Sequence, residues 1–185
     1  MKRLLMGMIG VLLAACSADD SISRAYRCTF IFDTTLHPLP CQLTGILGNN
    51  GHFCQVQTYV GADGIRHLKT TRNYDGATED IALTTAKESQ ISFYLGANDC
   101  IIIGTSSYDF ALVAWDGQCP NCLADYNGIS YPLSWQNNGQ YLHCAKCGRT
   151  YDVNNNNGVV ADGAPGRGLL HYLAAYDGSV LRAWN

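Results

Sequence analysis

Two short cysteine pairs constrain the fold of this chain more than any other feature of its sequence. Cys119 and Cys122 form one C-x-x-C pair, and Cys144 and Cys147 form a second, which Gly148 follows directly. Two such pairs about 15–20 residues apart are typical of a four-cysteine metal site, because a tight turn lets both thiolates of a pair point at one centre. The spacing therefore predicts that the four cysteines bind a single metal ion.

Two other states of these cysteines remain open on sequence grounds. Disulfides could form within each pair or across the pairs if the chain is exported. A redox-active dithiol is the other alternative, but it usually lies at the N-terminus of a helix in a βαβ unit, and the sequence has no βαβ pattern. Zinc or mononuclear iron is the favoured occupant, and a [2Fe–2S] cluster is the less favoured one.

The N-terminal residues have the pattern of a bacterial lipoprotein signal. Two basic residues precede an apolar stretch at positions 4–13, which has the length of a signal-peptide core and is too short to span a bilayer. The stretch ends in Leu-Ala-Ala-Cys, which resembles the lipobox that is cleaved before a lipidated cysteine. We therefore predict a signal peptide at positions 1–15, lipidation of Cys16 and a short tether at 16–27.

Location in the bacterial cell envelope follows from this prediction. The protein would face the periplasm or the cell surface and would contact the membrane through the lipid on Cys16. The signal has no twin arginine, so export through the general secretory route, as an unfolded chain, is expected. An unfolded chain must acquire its metal after export, which favours a simple ion over a preassembled cluster.

Composition and strand patterns predict an all-β domain at 28–185, and the two cysteine pairs predict a rubredoxin-like or zinc-ribbon-like metal-binding subdomain within it, at about 117–166. The formal net charge is -3 and 47% of the residues are hydrophobic, so the chain can bury a core and lacks the basic character of a nucleic-acid-binding protein. The segment 85–88 has the capping-box spacing of a short helix. Short apolar runs bounded by turn residues predict strands at 29–32, 52–60, 91–95, 100–104, 110–115, 140–143, 169–176 and 179–184.

The second cysteine pair and the residues after it resemble the Rieske-type iron–sulfur domain. The sequence CAKCGRTYD at positions 144–152 follows that family's C-x-x-H-G-x-x-[FY]-D pattern, with Cys147 in place of the histidine. The tripeptide Gly163-Ala164-Pro165 falls where the family has a Gly-Pro loop that covers its cluster. The resemblance extends over about 110–185 and implies a Rieske-like β-sandwich or barrel.

The first cysteine pair departs from that family. A Rieske first loop carries its ligands as C-x-H, whereas here Asn121 stands at the histidine position and Cys122 follows it. The resemblance implies Cys119 and Cys144 as the two cysteine ligands, and Cys122 and Cys147 replace the two histidines. Since a Rieske centre owes its raised potential to two histidines on one iron, the resemblance supports the fold rather than that chemistry.

The sequence favours a non-catalytic structural or interaction module. None of the common catalytic or nucleotide-binding motifs occurs in it. The alternative is electron transfer by an iron or iron–sulfur centre at the same four cysteines. A protein partner is not indicated, although Trp135 is the aromatic residue most suited to contact one, with packing at the metal site as the favoured alternative.

Four cysteines outside the two pairs are not assigned by the sequence. They allow three disulfide connectivities, and they could equally be buried free thiols. These residues are Cys28, Cys41, Cys54 and Cys100.

Overall fold

The computed structural model of the protein describes residues 22–127, 130–154 and 158–185. Three short α-helices lie in these ranges, α1 (Gln42–Gly45), α2 (Ala86–Ser89) and α3 (Pro120–Asp125), together with a 3₁₀ turn at Thr34–Leu36. The strands there are β1 (Cys28–Asp33), β2 (His52–Val60), β3 (Arg66–Arg72), β4 (Thr78–Ala82), β5 (Tyr94–Leu95), β6 (Cys100–Thr105), β7 (Leu112–Asp116), β8 (Leu133–Gln136), β9 (Tyr141–Cys144), β10 (Thr150–Asp152), β11 (Val160–Asp162), β12 (His171–Tyr176) and β13 (Val180–Trp184). The predicted all-β class is confirmed.

Nine of the thirteen described strands form one large antiparallel sheet in the order β4-β3-β2-β6-β7-β12-β13-β1-β5. One apolar cluster receives side chains from strands along the whole of this order, including Leu68 on β3, Phe30 on β1 and Leu95 on β5. A sheet whose two halves share one core must curl around it. The large sheet is therefore rolled, with this first core inside.

A second sheet, in the order β11-β10-β9-β8, packs on the outer face of the large sheet. Side chains alternate along each strand, so on β6 Ile101 and Ile103 join the first core while Ile102 joins a second cluster. Leu142 and Tyr151 of the small sheet complete this second cluster. Every residue of β6 is buried because the strand lies between the two cores.

Cysteines of both C-x-x-C pairs belong to the second cluster. Cys119, Cys122 and Cys144 are buried in it, and Cys147 packs against it. Trp135 on β8 packs there too, with its ring centroid 6.2 Å from that of Phe53. The small sheet and α3 fall within the range 117–166, so the two cysteine pairs lie where this substructure joins the large sheet.

The described part of the predicted tether lies against the domain. Ile22 forms a β-bridge with His171, and the backbone N–H of Ser23 donates to the His171 carbonyl oxygen. The Asn185 side-chain amide donates to the carbonyl oxygens of Ser23 and Tyr26. Positions 22–27 are therefore held beside the C-terminal strands.

The predicted signal peptide and Cys16 lie outside the described residues. Among the helices in the described ranges, none has the length and apolar character needed to cross a membrane.

Candidate metal centre

The four cysteines of the two pairs come together at one point, which we call the four-cysteine site. Their Sγ atoms all lie within 4.8 Å of one another. The Cys119 and Cys147 Sγ atoms are 3.7 Å apart, and so are those of Cys122 and Cys144. A disulfide bond is about 2.05 Å long, so neither of these pairs is bonded. The site can hold one metal ion.

A short turn of helix presents the first pair. Strand β7 ends at Asp116, and Cys119 then forms the N-cap of α3 with Pro120 at the first helical position. Proline is favoured there because that position has no intrahelical partner for an N–H. The Cys119 N–H donates to the Tyr131 carbonyl oxygen, and the Leu123 N–H donates to the Cys119 carbonyl oxygen. This helix was not predicted from the sequence.

A hairpin turn between β9 and β10 presents the second pair. Cys144 ends β9, its N–H donates to the Arg149 carbonyl oxygen, and its own carbonyl accepts from the Gly148 N–H. Gly148 has a φ of +73°, in the left-handed region that glycine adopts at little cost. The turn brings Cys147 back beside Cys144. His143 points away from the site, with its Nδ1 atom 3.3 Å from the Thr150 hydroxyl.

Tyr151 supplies a hydrogen bond to the site. Its hydroxyl oxygen lies 3.1 Å from the Cys119 Sγ atom and 2.9 Å from the Asn121 Nδ2 atom. Because the Nδ2 group of Asn121 can only donate, the hydroxyl accepts from it and is free to donate its own proton to sulfur. The Rieske-type resemblance includes Tyr151 in its pattern and has Asn121 as a departure from that pattern. It did not predict that the two side chains are in contact.

The tripeptide Gly163-Ala164-Pro165 lies beside the second pair. The Arg149 guanidinium donates to the Ala164 and Pro165 carbonyl oxygens at 2.9 and 3.3 Å. Gly163 has a φ of +96°, and a Cβ atom on it would lie 3.1 Å from the Arg149 Cα atom. The next turn of this loop is held by Asn121, whose side chain exchanges two hydrogen bonds of 2.9 Å with the Arg167 backbone.

The four thiols differ electrostatically. Burial raises the pKa of Cys147, but hydrogen bonds from Arg149 and from the neighbouring cysteines outweigh it and lower the pKa from 9.0 to about 6. Burial is also the main reason why the pKa values of Cys119 and Cys122 are raised. The surroundings of Cys147 therefore favour its thiolate form, whereas those of Cys119 and Cys122 disfavour it, and Cys147 is also the most exposed of the four cysteines.

Comparisons of the chain with protein-family models, with curated proteins and with solved structures find no match. The Rieske-type resemblance of residues 110–185 therefore remains a prediction from the sequence.

Proposed function

We propose that the four-cysteine site binds a single tetrahedral metal ion that joins α3 to the β9–β10 turn. The observation that carries this proposal is the spacing of the sulfur atoms. A tetrahedral ion with metal–sulfur bonds of about 2.3 Å holds its ligands about 3.8 Å apart. The two Sγ···Sγ separations of 3.7 Å correspond to edges of that tetrahedron.

The same spacing argues against a two-iron cluster. Two tetrahedral irons that share a sulfide edge place the cysteine sulfurs of different irons about 5.3 to 6.5 Å apart, for bonds of about 2.3 Å. All four Sγ atoms here lie within 4.8 Å of one another. A mononuclear ion fits this spacing and a [2Fe–2S] cluster does not.

A closed set of four thiolates favours a structural role for the ion. Catalytic zinc sites keep one coordination position open for water or substrate, whereas structural sites use four protein ligands. Zinc is the favoured ion for such a site. In this proposal the protein is a structural or interaction module with a Rieske-like arrangement over residues 110–185. It is anchored in the cell envelope through a lipid on Cys16.

Electron transfer by mononuclear iron is the second candidate, and two observations favour it. The Tyr151 hydroxyl contacts the Cys119 Sγ atom at 3.1 Å, and hydrogen bonds to the ligand sulfurs of iron centres tune their reduction potentials. Cys147 is also partly exposed, which brings one ligand near the protein surface.

Metal analysis of the full chain purified from its native membrane fraction tests the proposal. We expect one metal ion per chain, retained in a Cys100→Ser variant and lost in a Cys122→Ser variant, since both thiols are buried but only Cys122 belongs to the site. A colourless zinc protein supports the structural role. Visible absorption that bleaches on reduction supports electron transfer. Absence of stoichiometric metal from the wild-type chain would rule out both.

A further inference from the structure

The cysteines outside the four-cysteine site are separated by the large sheet. Side chains alternate between the two faces of a strand, so Cys100 on β6 faces the same side as Ile102, away from Ile101 and Ile103. Its thiol accepts a hydrogen bond of 3.1 Å from the Gln55 side chain on that outer side. Cys28 and Cys54 belong to the first core, on the opposite face, and the partly buried Cys41 packs against that core. The large sheet therefore separates Cys100 from all three.

Cys28 has different neighbours from the other two thiols of the first core. It begins β1 and pairs with Leu95 on β5. The Gly96 N–H, one residue after Leu95, donates to the Arg27 carbonyl oxygen. The Ala97 N–H donates to the Asp116 carboxylate. Burial, followed by the charge of Asp116, raises the pKa of Cys28 to about 12. Cys28 therefore lies at the Asp116 end of the rolled sheet.

Cys41 and Cys54 lie in the same region of the structure. They line the same cavity of about 560 Å³, between α1 and strands β2 to β4. The Cys54 Sγ atom lies 3.5 Å from the carbonyl oxygen of Gln42, the residue directly after Cys41. In keeping with this placement, burial first and the Cys41 thiol second raise the pKa of Cys54 to about 12.

We infer that Cys41 and Cys54 form a disulfide in the exported protein and that Cys28 and Cys100 stay as free thiols. The inference rests on the export that is part of the proposed function, but not on the metal. The oxidant is a disulfide of a thiol–disulfide exchange partner or of glutathione. Its S–S bond breaks as the Cys41–Cys54 bond forms, and the two protein thiol protons pass to the two thiols of the reduced partner.

The bond would fasten the segment that contains α1 to β2. This segment connects β1 to β2 and forms one wall of the cavity, and α1 is only four residues long. Closing the loop from 41 to 54 reduces the conformational freedom of the unfolded chain. Cys41 is partly exposed and Cys54 is buried, so the bond would form during folding and then resist reduction.

Thiol mapping of the wild-type full chain tests the inference without a variant. Two preparations are compared: protein from the native membrane fraction, and protein refolded with oxidised and reduced glutathione. Each is denatured in the presence of a chelator and without reductant. The free thiols are then alkylated. A second alkylating agent is added after reduction. We expect Cys41 and Cys54 to carry the second label, Cys28 and Cys100 the first, and an unreduced digest to contain the cross-linked Cys41–Cys54 peptide.

Two results would overturn the inference: first labels on both Cys41 and Cys54 in each preparation, or a cross-link that involves Cys28 or Cys100. The same thiol map tests the proposal of a metal-binding site independently of the disulfide. Second labels on Cys119, Cys122, Cys144 and Cys147 would count against metal binding and leave the Cys41–Cys54 result intact.

A thermal measurement gives a second readout. We expect reductant to lower the melting temperature of the wild-type chain by on the order of 5–10 °C more than that of a Cys41→Ser variant, which has no bond to lose. A Cys100→Ser variant is the matched control and should respond as the wild type does. Equal responses of all three chains would contradict the bond.

Discussion

Single side chains around the four-cysteine site adjust its thiolates without being ligands. The Tyr151 hydroxyl is positioned by the Asn121 amide, and the Asn121 side chain is in turn fixed by the Arg167 backbone. Groups that orient or hydrogen-bond a metal ligand commonly affect metal affinity by 10–100-fold. If the proposed metal is bound, Tyr151 would therefore contribute to its affinity, although the Tyr151 oxygen would not touch the ion.

Replacement of Tyr151 by Phe tests this contribution. We expect the Tyr151→Phe variant to fold and to bind its metal about 10-fold more weakly, because the Cys119 sulfur loses a hydrogen bond. Competition with a metallochromic chelator measures the affinity. Tyr172→Phe is the matched control, since that buried hydroxyl donates to Asp116 rather than to a cysteine. Equal affinities of the two variants would contradict the role of Tyr151.

A second prediction about a single residue concerns Asp116 and the pH dependence of the protein's stability. Burial raises the pKa of its carboxyl group from 3.8 to about 6, against the hydrogen bonds it accepts from Ala97, Tyr172 and Gln118. The raised pKa means that the native state binds more protons than the unfolded state between these values. The protonated Asp116 carboxyl group thus stabilises the native state fully below about pH 4, and this contribution is lost as the pH rises through about 6.

Urea unfolding of the wild-type chain and of an Asp116→Asn variant between pH 4 and pH 7 measures this effect. The free energy of unfolding of the wild type, relative to the variant, should fall by about 2 kcal/mol across that range. Parallel pH profiles of the two proteins would show that Asp116 titrates normally.

At the scale of elements, the sequence predicted the apolar strands better than the polar ones. Strand β2 has the predicted bounds because an Asn-Asn-Gly turn and a long β-prone run define it. Strands β3 and β4 were missed since Arg66–Arg72 and Thr78–Ala82 are rich in charged residues and threonine. Their pairing with β2 and with each other, which the local sequence does not encode, makes them strands.

The same distinction applies to the candidate site. The four cysteines could be predicted because C-x-x-C spacing is a local property of each turn. The contacts of Asn121 with Tyr151 and with Arg167 join segments 30 and 46 residues apart. Such contacts depend on how the loops meet in the folded chain, so a single sequence does not predict them.

Substitution of one site cysteine should destabilise the small sheet and α3 more than the large sheet. We expect Cys147→Ser to lose the metal and to increase amide hydrogen exchange in the region 117–166, while the strands around the first core keep their protection. The reason is that metal binding to such sites is coupled to local folding. Hydrogen exchange read by mass spectrometry measures both regions, with Cys100→Ser as the control. Full metal occupancy with unchanged exchange in Cys147→Ser would argue against the assignment.

At the scale of the whole molecule, the proposed lipid anchor and the four-cysteine site are independent features. Cys16 precedes the described residues, and positions 22–27 already lie against the domain. The domain therefore begins only a few residues after the predicted lipid. The membrane and the folded part would be close neighbours.

Cell fractionation tests the anchor. We expect the wild-type chain in the membrane fraction and a Cys16→Ala variant without mature lipid, detected by the loss of fatty-acid labelling. The metal content should be unchanged, because the substitution leaves the four-cysteine site intact. A wild-type chain that carries no fatty acid and is recovered free of the membrane would refute the anchor.

The place of the small sheet has a consequence for the fate of the metal-free protein. The small sheet covers the outer face of β2, β6 and β7, where Phe53, Ile102 and Trp115 are buried. If the metal is lost and the small sheet detaches from the large one, these side chains form a contiguous exposed hydrophobic patch of the kind that promotes aggregation. We therefore expect metal shortage to appear in the cell as proteolytic turnover of the chain, because chaperones and proteases act on proteins that expose such surfaces.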